Sequence, residues 1–131
     1  MTTSTTLLAV NGTLMRGLEL NPNMVAVNAQ FVREDSTDAC YRLWSINDRH
    51  PAMIRVKTGG AAVALEVWRV PMEGLGTLLL GEPAGLSIGK VQLADGSEVL
   101  GVIGEPWLVE SQPEITRFGG WRAYIAQRHT T

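Results

Sequence analysis

Short apolar runs separated by turn residues are the main pattern along this chain. Continuous or alternating apolar stretches predict strands, which cover residues 7–10, 29–33, 40–46, 53–57, 61–70, 86–93 and 98–103. Proline and glycine punctuation predicts helices over residues 22–28 and 72–80 and a short C-terminal helix from about Gly120. Loops are predicted between them, including residues 34–38, 47–52 and 104–114.

One strand and one hairpin carry most of the information about the architecture. Residues 61–70 are largely apolar on both faces, which is typical of a strand that is covered on both sides. Asp95-Gly96 supplies the turn chemistry of a hairpin between the strands at 86–93 and 98–103. The pattern predicts an α+β fold, a small mixed β-barrel or strongly curved sheet with flanking short helices, in one domain over residues 1–131. Residues 1–5 and 128–131 are predicted to be disordered tails.

Composition narrows the classes of partner. The formal net charge is -2, with acidic and basic residues mixed, so nucleic-acid binding is not predicted. No apolar run is long enough to span a bilayer, and the threonine-rich N-terminus lacks the pattern of a signal peptide. The single cysteine, Cys40, cannot form an internal disulfide. These features predict a cytoplasmic protein without a membrane partner.

The segment that follows the first strand is a candidate ligand-binding loop, formed by Asn11, Gly12, Thr13, Leu14 and Met15. Glycine leaves room for a ligand beside the main chain, and successive backbone N–H groups in a sharp turn can bind a carboxylate or phosphate oxygen. The alternative is that Asn-Gly is a simple hairpin turn. Both interpretations stay open from these residues alone.

Two glutamates are the candidate proton-transfer groups. Glu66 lies among apolar neighbours in the strand at 61–70, where burial favours a proton shuttle; the alternative is a structural pair with Arg42, Arg55 or Arg122. Glu82 follows the predicted helix in a loop, where catalytic groups are often presented, although an ordinary exposed acid is equally consistent.

Other familiar chemistry is missing from the sequence. His50 is predicted to lie in a loop and His129 in a tail, and neither has a second ligand at metal spacing, so neither a metal site nor a catalytic histidine is expected. Phosphate-loop and serine-hydrolase motifs are also lacking, and no cofactor is predicted.

Several segments, taken in order, resemble the C-terminal domain of allophanate hydrolase. They are VNGTLMRGLELN, GGAAVALEVWRVP, LSIGKVQLADGSEVLGVIGEP and ITRFGGWRAYIA. That domain is similar in fold to gamma-glutamyl cyclotransferases, whose Y-G-[ST]-L signature corresponds to residues 11–14, with Asn11 at the aromatic position. The resemblance implies that the amides of this loop bind a ligand's carboxylate and that Glu82 lies near the general acid and base of the cyclotransferases.

The resemblance also implies an activity, the decarboxylation of an N-carboxycarbamate-type product in urea or allophanate metabolism. In allophanate hydrolases a histidine of the loop is implicated, and Leu14 stands at that position here. The alternatives are a gamma-glutamyl cyclotransferase-like enzyme and a non-catalytic accessory or oligomerisation module. Since the sequence contains no amidase region, we expect a free-standing relative with a small carboxylate-bearing ligand, a separate amidase polypeptide as a partner, and a homodimer as a further option.

Overall fold

Seven strands and three short α-helices form the part of the chain that the computed structural model describes, residues 4–128. The strands are β1 Thr5–Val10, β2 Gln30–Ser36, β3 Tyr41–Ile46, β4 His50–Arg55, β5 Ala64–Pro71, β6 Leu86–Gln92 and β7 Glu98–Gly104. The helices are α1 Asn21–Ala26, α2 Gly74–Leu80 and α3 Trp121–Arg128, and the 3-10 turns are Pro106–Val109 and Thr116–Phe118. None of the helices in residues 4–128 is long and apolar enough to cross a membrane.

A five-stranded sheet, in the order β2-β5-β1-β7-β6, forms the centre of the domain, and β3 and β4 make a separate two-stranded sheet. Strand β1 pairs antiparallel with β5 and parallel with β7. The large sheet curls until its two edge strands meet at one end, where Ala94 N–H donates to Ser36 O (2.9 Å) and Asp38 N–H donates to Gln92 O (3.0 Å). The α+β prediction is therefore confirmed, with a curved sheet whose edges join at one end.

The interior of the curled sheet holds most of the core. Leu8, Val67 and Val91 are among the buried side chains that line it. In β5 four consecutive residues, from Leu65 to Trp68, are buried, which confirms that this strand is covered on both faces. Both faces of β5 are therefore occupied by the rest of the domain.

Several strand and helix boundaries differ from the predicted ones, and strand pairing accounts for the differences in β2 and β4. Residues 34–36, predicted as a loop, extend β2 because they pair with β5, and their polar side chains are tolerated at the edge of the sheet. Strand β4 begins at His50 inside another predicted loop; Pro51 fits there because β4 pairs only with β3 and keeps one free edge. Helix α2 begins at Gly74, two residues later than predicted.

The predicted disordered tails were drawn slightly too long. Thr5 begins β1 and Arg128 ends α3, so both belong to regular structure. Ser4 is also described, and its carbonyl accepts a hydrogen bond from Met72 N–H (2.8 Å). Residues 1–3 and 129–131 lie outside the described residues. The predicted hairpin between β6 and β7 is confirmed, with Gly96 at a φ of 88° in its turn.

Candidate functional site

The loop after β1 is a tight connection to α1 and not a hairpin turn. β1 pairs with β5 and β7, so the hairpin interpretation of Asn11-Gly12 is wrong. Met15 N–H donates to Gly12 O (3.0 Å), and Leu20 N–H donates to Thr13 O (2.9 Å). The Asn11 side chain is buried and donates to Val102 O on β7 (2.9 Å). The loop is therefore fixed to the sheet at its start and to the entry of α1 at its end.

Three consecutive backbone donors in this loop are unused. Within residues 4–128, the N–H groups of Gly12, Thr13 and Leu14 have no hydrogen-bond acceptor, whereas the N–H of Met15 is bonded inside the turn. Unused N–H groups of successive residues are suited to binding an anionic oxygen. The sequence analysis predicts that successive N–H groups of this loop bind an anion, and these three are the donors available for it.

Position 12 requires glycine because Pro51 packs closely against it, and not because of its backbone angles. Its φ is not positive, and a Cβ built on it would lie 2.6 Å from Cδ of Pro51, at the start of β4. Glycine at this position lets β4 pack directly against the loop. The ring of Pro51 therefore lies directly against Gly12.

Gly12→Ala is expected to lower the free energy of unfolding by about 1–3 kcal/mol, because loop and β4 must separate to admit the methyl group. Urea unfolding measures this change. Gly76→Ala is the matched control: a Cβ there meets nothing within 4 Å inside α2, so it is expected to stabilise the protein by roughly 0.5–1 kcal/mol. Equal effects of the two substitutions would contradict the role assigned to Gly12.

Glu82 lies against this loop in a narrow cavity. It follows Gly81, at which α2 ends. We define the inner cavity by residues 11–14, His50, Pro51 and Glu82, with Val10, Leu86 and Val102 completing its wall. Its free volume is about 10 Å³, which is room for about one water molecule. The structure thus brings four of the five predicted loop residues together with Glu82.

A wider space opens outside the inner cavity. We call it the outer cleft; its volume is about 240 Å³ and its lining includes Glu19, Arg49 and Pro83. The two spaces share three residues, Thr13, His50 and Glu82. We call these three residues, which line both spaces, the throat.

Glu82 is held in an environment that favours its protonated form. Burial raises the pKa of the Glu82 carboxyl from 4.5 to about 7. No hydrogen bond or ion pair within residues 4–128 offsets that burial. At neutral pH this side chain is therefore about half protonated, the condition in which a carboxyl group serves best as both acid and base.

His50, which the sequence analysis did not place in the site, lines both the inner cavity and the outer cleft. It is the first residue of β4 and pairs with Ile46 across a turn in which Asn47 and Asp48 have φ values of 53° and 57°. Asp48 accepts hydrogen bonds from Ser45 Oγ (2.7 Å) and Tyr124 OH (2.6 Å), which join the turn to α3. An Asn-Asp turn between two apolar runs was the signal for a β3–β4 hairpin, and that hairpin places His50 beside the loop.

Glu66 lies in a different part of the molecule from Glu82. It is 1% exposed and accepts hydrogen bonds from Arg16 N–H (3.0 Å), Arg16 Nε (3.1 Å), Trp68 Nε1 (3.1 Å) and Arg122 Nη2 (3.0 Å). Burial on its own raises the pKa of Glu66, but the hydrogen bonds from Arg16, Trp68 and Arg122 outweigh it and hold that pKa below the ordinary value. Both oxygens are saturated with donors, so Glu66 is an ionised structural group paired with Arg122, one of the predicted partners.

Met15 is the one predicted loop residue that turns away from the inner cavity. It lines a separate cleft of about 380 Å³ together with Glu34, Glu66, Phe118 and Arg122. The predicted set of site residues is therefore divided between two places. Residues 11–14 and Glu82 share the inner cavity, whereas Met15 and Glu66 share this second cleft.

No resident metal is suggested by the arrangement of ligands. Within residues 4–128 no three His, Cys, Asp or Glu side chains lie together in a way that could hold an ion. In the inner cavity and outer cleft the titratable groups are His50, Glu82, Glu19 and Arg49. Carboxyl, imidazole and guanidinium groups are side chains of the types that transfer protons or bind anions.

The curled sheet with its short flanking helices has a gamma-glutamyl cyclotransferase-like fold. A solved aig2-like protein from Mus musculus has this fold, with a TM-score of 0.59 and 18% identity over 80% of this chain and 82% of that chain. The comparison with protein families identifies a particular family within this fold. The chain belongs to the allophanate hydrolase C-terminal domain family, whose model matches residues 6–126.

Individual relatives agree with this assignment. A solved uropathogenic E. coli-specific protein is 66% identical, with a TM-score of 0.93 over 94% of this chain and 97% of that chain. Kluyveromyces lactis allophanate hydrolase is 30% identical, with a TM-score of 0.89 over 95% of this chain and 21% of that chain. Urea amidolyase of Saccharomyces cerevisiae is 32% identical over 90% of this chain, which spans 7% of the length of that relative.

Proposed function

We propose that this chain is a cytoplasmic protein that binds a small nitrogen compound carrying carboxylates and releases one carboxylate as CO2. The observation that carries the proposal is the inner cavity, where unused N–H groups of Gly12, Thr13 and Leu14 share a wall with the unpartnered, half-protonated Glu82. Relatives named allophanate hydrolase and urea amidolyase support a substrate of the N-carboxycarbamate type.

The chemistry requires one proton and two anion-binding groups. The substrate is a dianion in which two carboxylates share one nitrogen. Protonated Glu82 donates its proton to that nitrogen while the bond between nitrogen and one carboxylate carbon breaks. The bonding electrons pass to nitrogen, so the dianion and one proton give carbamate and CO2. The backbone N–H groups of the loop bind the carboxylate that remains.

Arg49 supplies a second anion-binding group in the outer cleft. Its guanidinium is exposed and lies 3.6 Å from a carboxylate oxygen of Glu19. An exposed pair of this kind contributes little stability, so a ligand carboxylate replaces Glu19 at small cost. The inner cavity has room for about one water, whereas the outer cleft of about 240 Å³ accommodates the rest of the ligand.

Malonate tests this site, because it presents two carboxylates on a single methylene and does not react. Ionised Glu82 repels the dianion, so binding is expected to weaken roughly tenfold between pH 6.5 and pH 8 as the carboxyl with a pKa of about 7 loses its proton. Glu82→Gln is expected to bind malonate with little pH dependence. Isothermal titration calorimetry measures both affinities.

The control is Glu110→Gln, which removes an exposed acid outside the inner cavity and the outer cleft and is expected to behave like the wild type. An absence of malonate binding, or an unchanged pH dependence in Glu82→Gln, would contradict the proposed site. Conversion of a gamma-glutamyl amine to 5-oxoproline would instead establish the cyclotransferase-like alternative.

Exposed apolar side chains favour a second candidate function, an accessory module for a separate amidase or a homodimer. Leu80 at the end of α2 is 90% exposed and Trp107 is 54% exposed, while Trp68 and Trp121 are buried in the core. Apolar side chains of that size at the surface are typical of contact sites. Sedimentation of the purified chain, alone and with an allophanate amidase, tests this candidate.

A further inference from the structure

The throat contains a second proton carrier that the proposed reaction does not yet use. Thr13, His50 and Glu82 are the residues common to the inner cavity and the outer cleft. Thr13 has a hydroxyl, His50 an imidazole and Glu82 a carboxyl group, and each of these group types can pass on a proton.

Resting on the proposed function, we propose that His50 is a relay residue that returns a proton to Glu82 after each turnover. Donation to the substrate nitrogen leaves Glu82 as a carboxylate in a confined space without a hydrogen-bond partner within residues 4–128. The imidazolium of His50 gives its proton to that carboxylate and becomes neutral. A buffer acid or hydronium ion that enters the outer cleft then reprotonates the imidazole, so that one proton taken from solution replaces the one delivered to the substrate nitrogen.

The orientation of the His50 ring supports this role. Its Nδ1 lies 3.1 Å from Pro51 O, and because a carbonyl only accepts hydrogen bonds, Nδ1 carries a proton. Nε2 is then the nitrogen that binds and releases the exchanged proton. The backbone is held as well, since Arg49 N–H donates to Ile46 O (2.9 Å) and His50 pairs with Ile46.

The charged groups around His50 come from each element beside it. Glu82 follows α2, and Glu19 precedes α1. Arg49 lies on the same turn, and Asp48 of that turn is bonded to Ser45 and Tyr124. Glu82 is thus the group that shares both the inner cavity and the outer cleft with His50, while Glu19 and Arg49 share only the outer cleft.

The test is the rate of CO2 release from an iminodicarboxylate salt, measured across pH in weak and in concentrated buffer. His50→Ala is expected to slow turnover about 10- to 100-fold in weak buffer, with recovery when imidazole is added. Glu82→Gln is expected to lose turnover without recovery in imidazole. The rescue separates a proton relay from a structural role, because imidazole does not repair a misfolded loop.

A second measurement does not depend on turnover. Protonation of Glu82 changes the field at a nearby imidazole, so the NMR titration curve of the His50 ring is expected to differ between the wild type and Glu82→Gln. Identical curves would overturn the relay.

The outcomes separate the two proposals. Wild-type turnover with an unimpaired His50→Ala variant, or an impaired variant that imidazole does not rescue, overturns the relay and leaves the proposed function standing. A wild-type protein that neither binds malonate nor releases CO2 overturns the proposed function, and the relay falls with it.

Discussion

Glu66→Gln is expected to lower the free energy of unfolding by about 3 kcal/mol at pH 7. The carboxylate is 1% exposed and accepts four hydrogen bonds, from the backbone and Nε of Arg16, Nε1 of Trp68 and Nη2 of Arg122. A glutamine amide directs the N–H groups of its nitrogen at the donors on one side. It also removes the carboxylate that pairs with Arg122 and leaves Arg16 with Glu34 as its remaining carboxylate. Both arginines are about half exposed, so partial hydration keeps the loss near the lower end for a broken buried pair.

The loss is expected to depend on pH in a defined direction. Burial opposes ionisation of Glu66, but hydrogen bonds from Arg16, Trp68 and Arg122 lower its pKa below the ordinary value. A lowered folded-state pKa means that the contribution to stability is present above the ordinary carboxyl range and disappears as pH falls through the lowered pKa. The difference between wild type and Glu66→Gln in urea unfolding should therefore be largest at neutral pH and shrink in acid.

Glu34→Gln is the matched control, because Glu34 also pairs with Arg16 (3.0 Å) but is exposed. Its expected cost is at most about 1 kcal/mol. Equal costs for Glu34→Gln and Glu66→Gln would contradict the structural role of Glu66. The folded Glu66→Gln protein is expected to keep the pH dependence of malonate binding, since Glu66 lines a different cleft from Glu82.

The sequence predicts correctly those elements whose secondary structure follows from their own local pattern of apolar and turn residues. β5 is apolar on both faces and the Asp95-Gly96 turn specifies the β6–β7 hairpin, so both were predicted correctly. The polar end of β2 and the start of β4 could not be predicted in this way. They are strands because β5 and β3 pair with them, and that pairing joins residues far apart in the chain or across an Asn-Asp turn.

The candidate site likewise combines features that follow from local sequence with features that depend on contacts between distant parts of the chain. The unused N–H groups after β1 follow from a local turn around Gly12, which the sequence indicated. Only the resemblance to a family placed Glu82 near that turn, because no periodic pattern states which loops meet. His50 was not expected in the site because the sequence shows no partner near it, and the pairing of β3 with β4 places it beside the loop. The choice of Arg122 among the three candidate partners of Glu66 depends on where α3 packs.

Glu82→Gln is expected to reduce CO2 release by a factor of about 10² to 10⁴, the contribution typical of a positioned acid or base. The glutamine fills the same space in the inner cavity but carries no exchangeable acid proton. Initial rates with an iminodicarboxylate salt, corrected for spontaneous loss, measure the effect. A variant with more than about half of the wild-type rate would contradict the assignment of Glu82 as the acid.

The same substitution is expected to stabilise the protein at alkaline pH. Burial raises the pKa of Glu82 from 4.5 to about 7, so the folded state holds this proton more tightly than the unfolded state does. Wild-type stability therefore falls as pH rises between these two values, and above them the full cost of the buried charge is present. Glu82→Gln removes that cost, so it should be more stable than the wild type by about 2–3 kcal/mol at pH 8 and nearly equal to it at pH 4.

A gain in stability at pH 8 together with a loss of turnover would separate a functional acid from an ordinary surface residue. An exposed glutamate such as Glu110 changes neither quantity when it is replaced by glutamine. A structural glutamate such as Glu66 lowers stability when it is replaced. Replacement by glutamine is expected to raise stability and abolish turnover together only at a buried carboxyl group whose proton is used in the reaction.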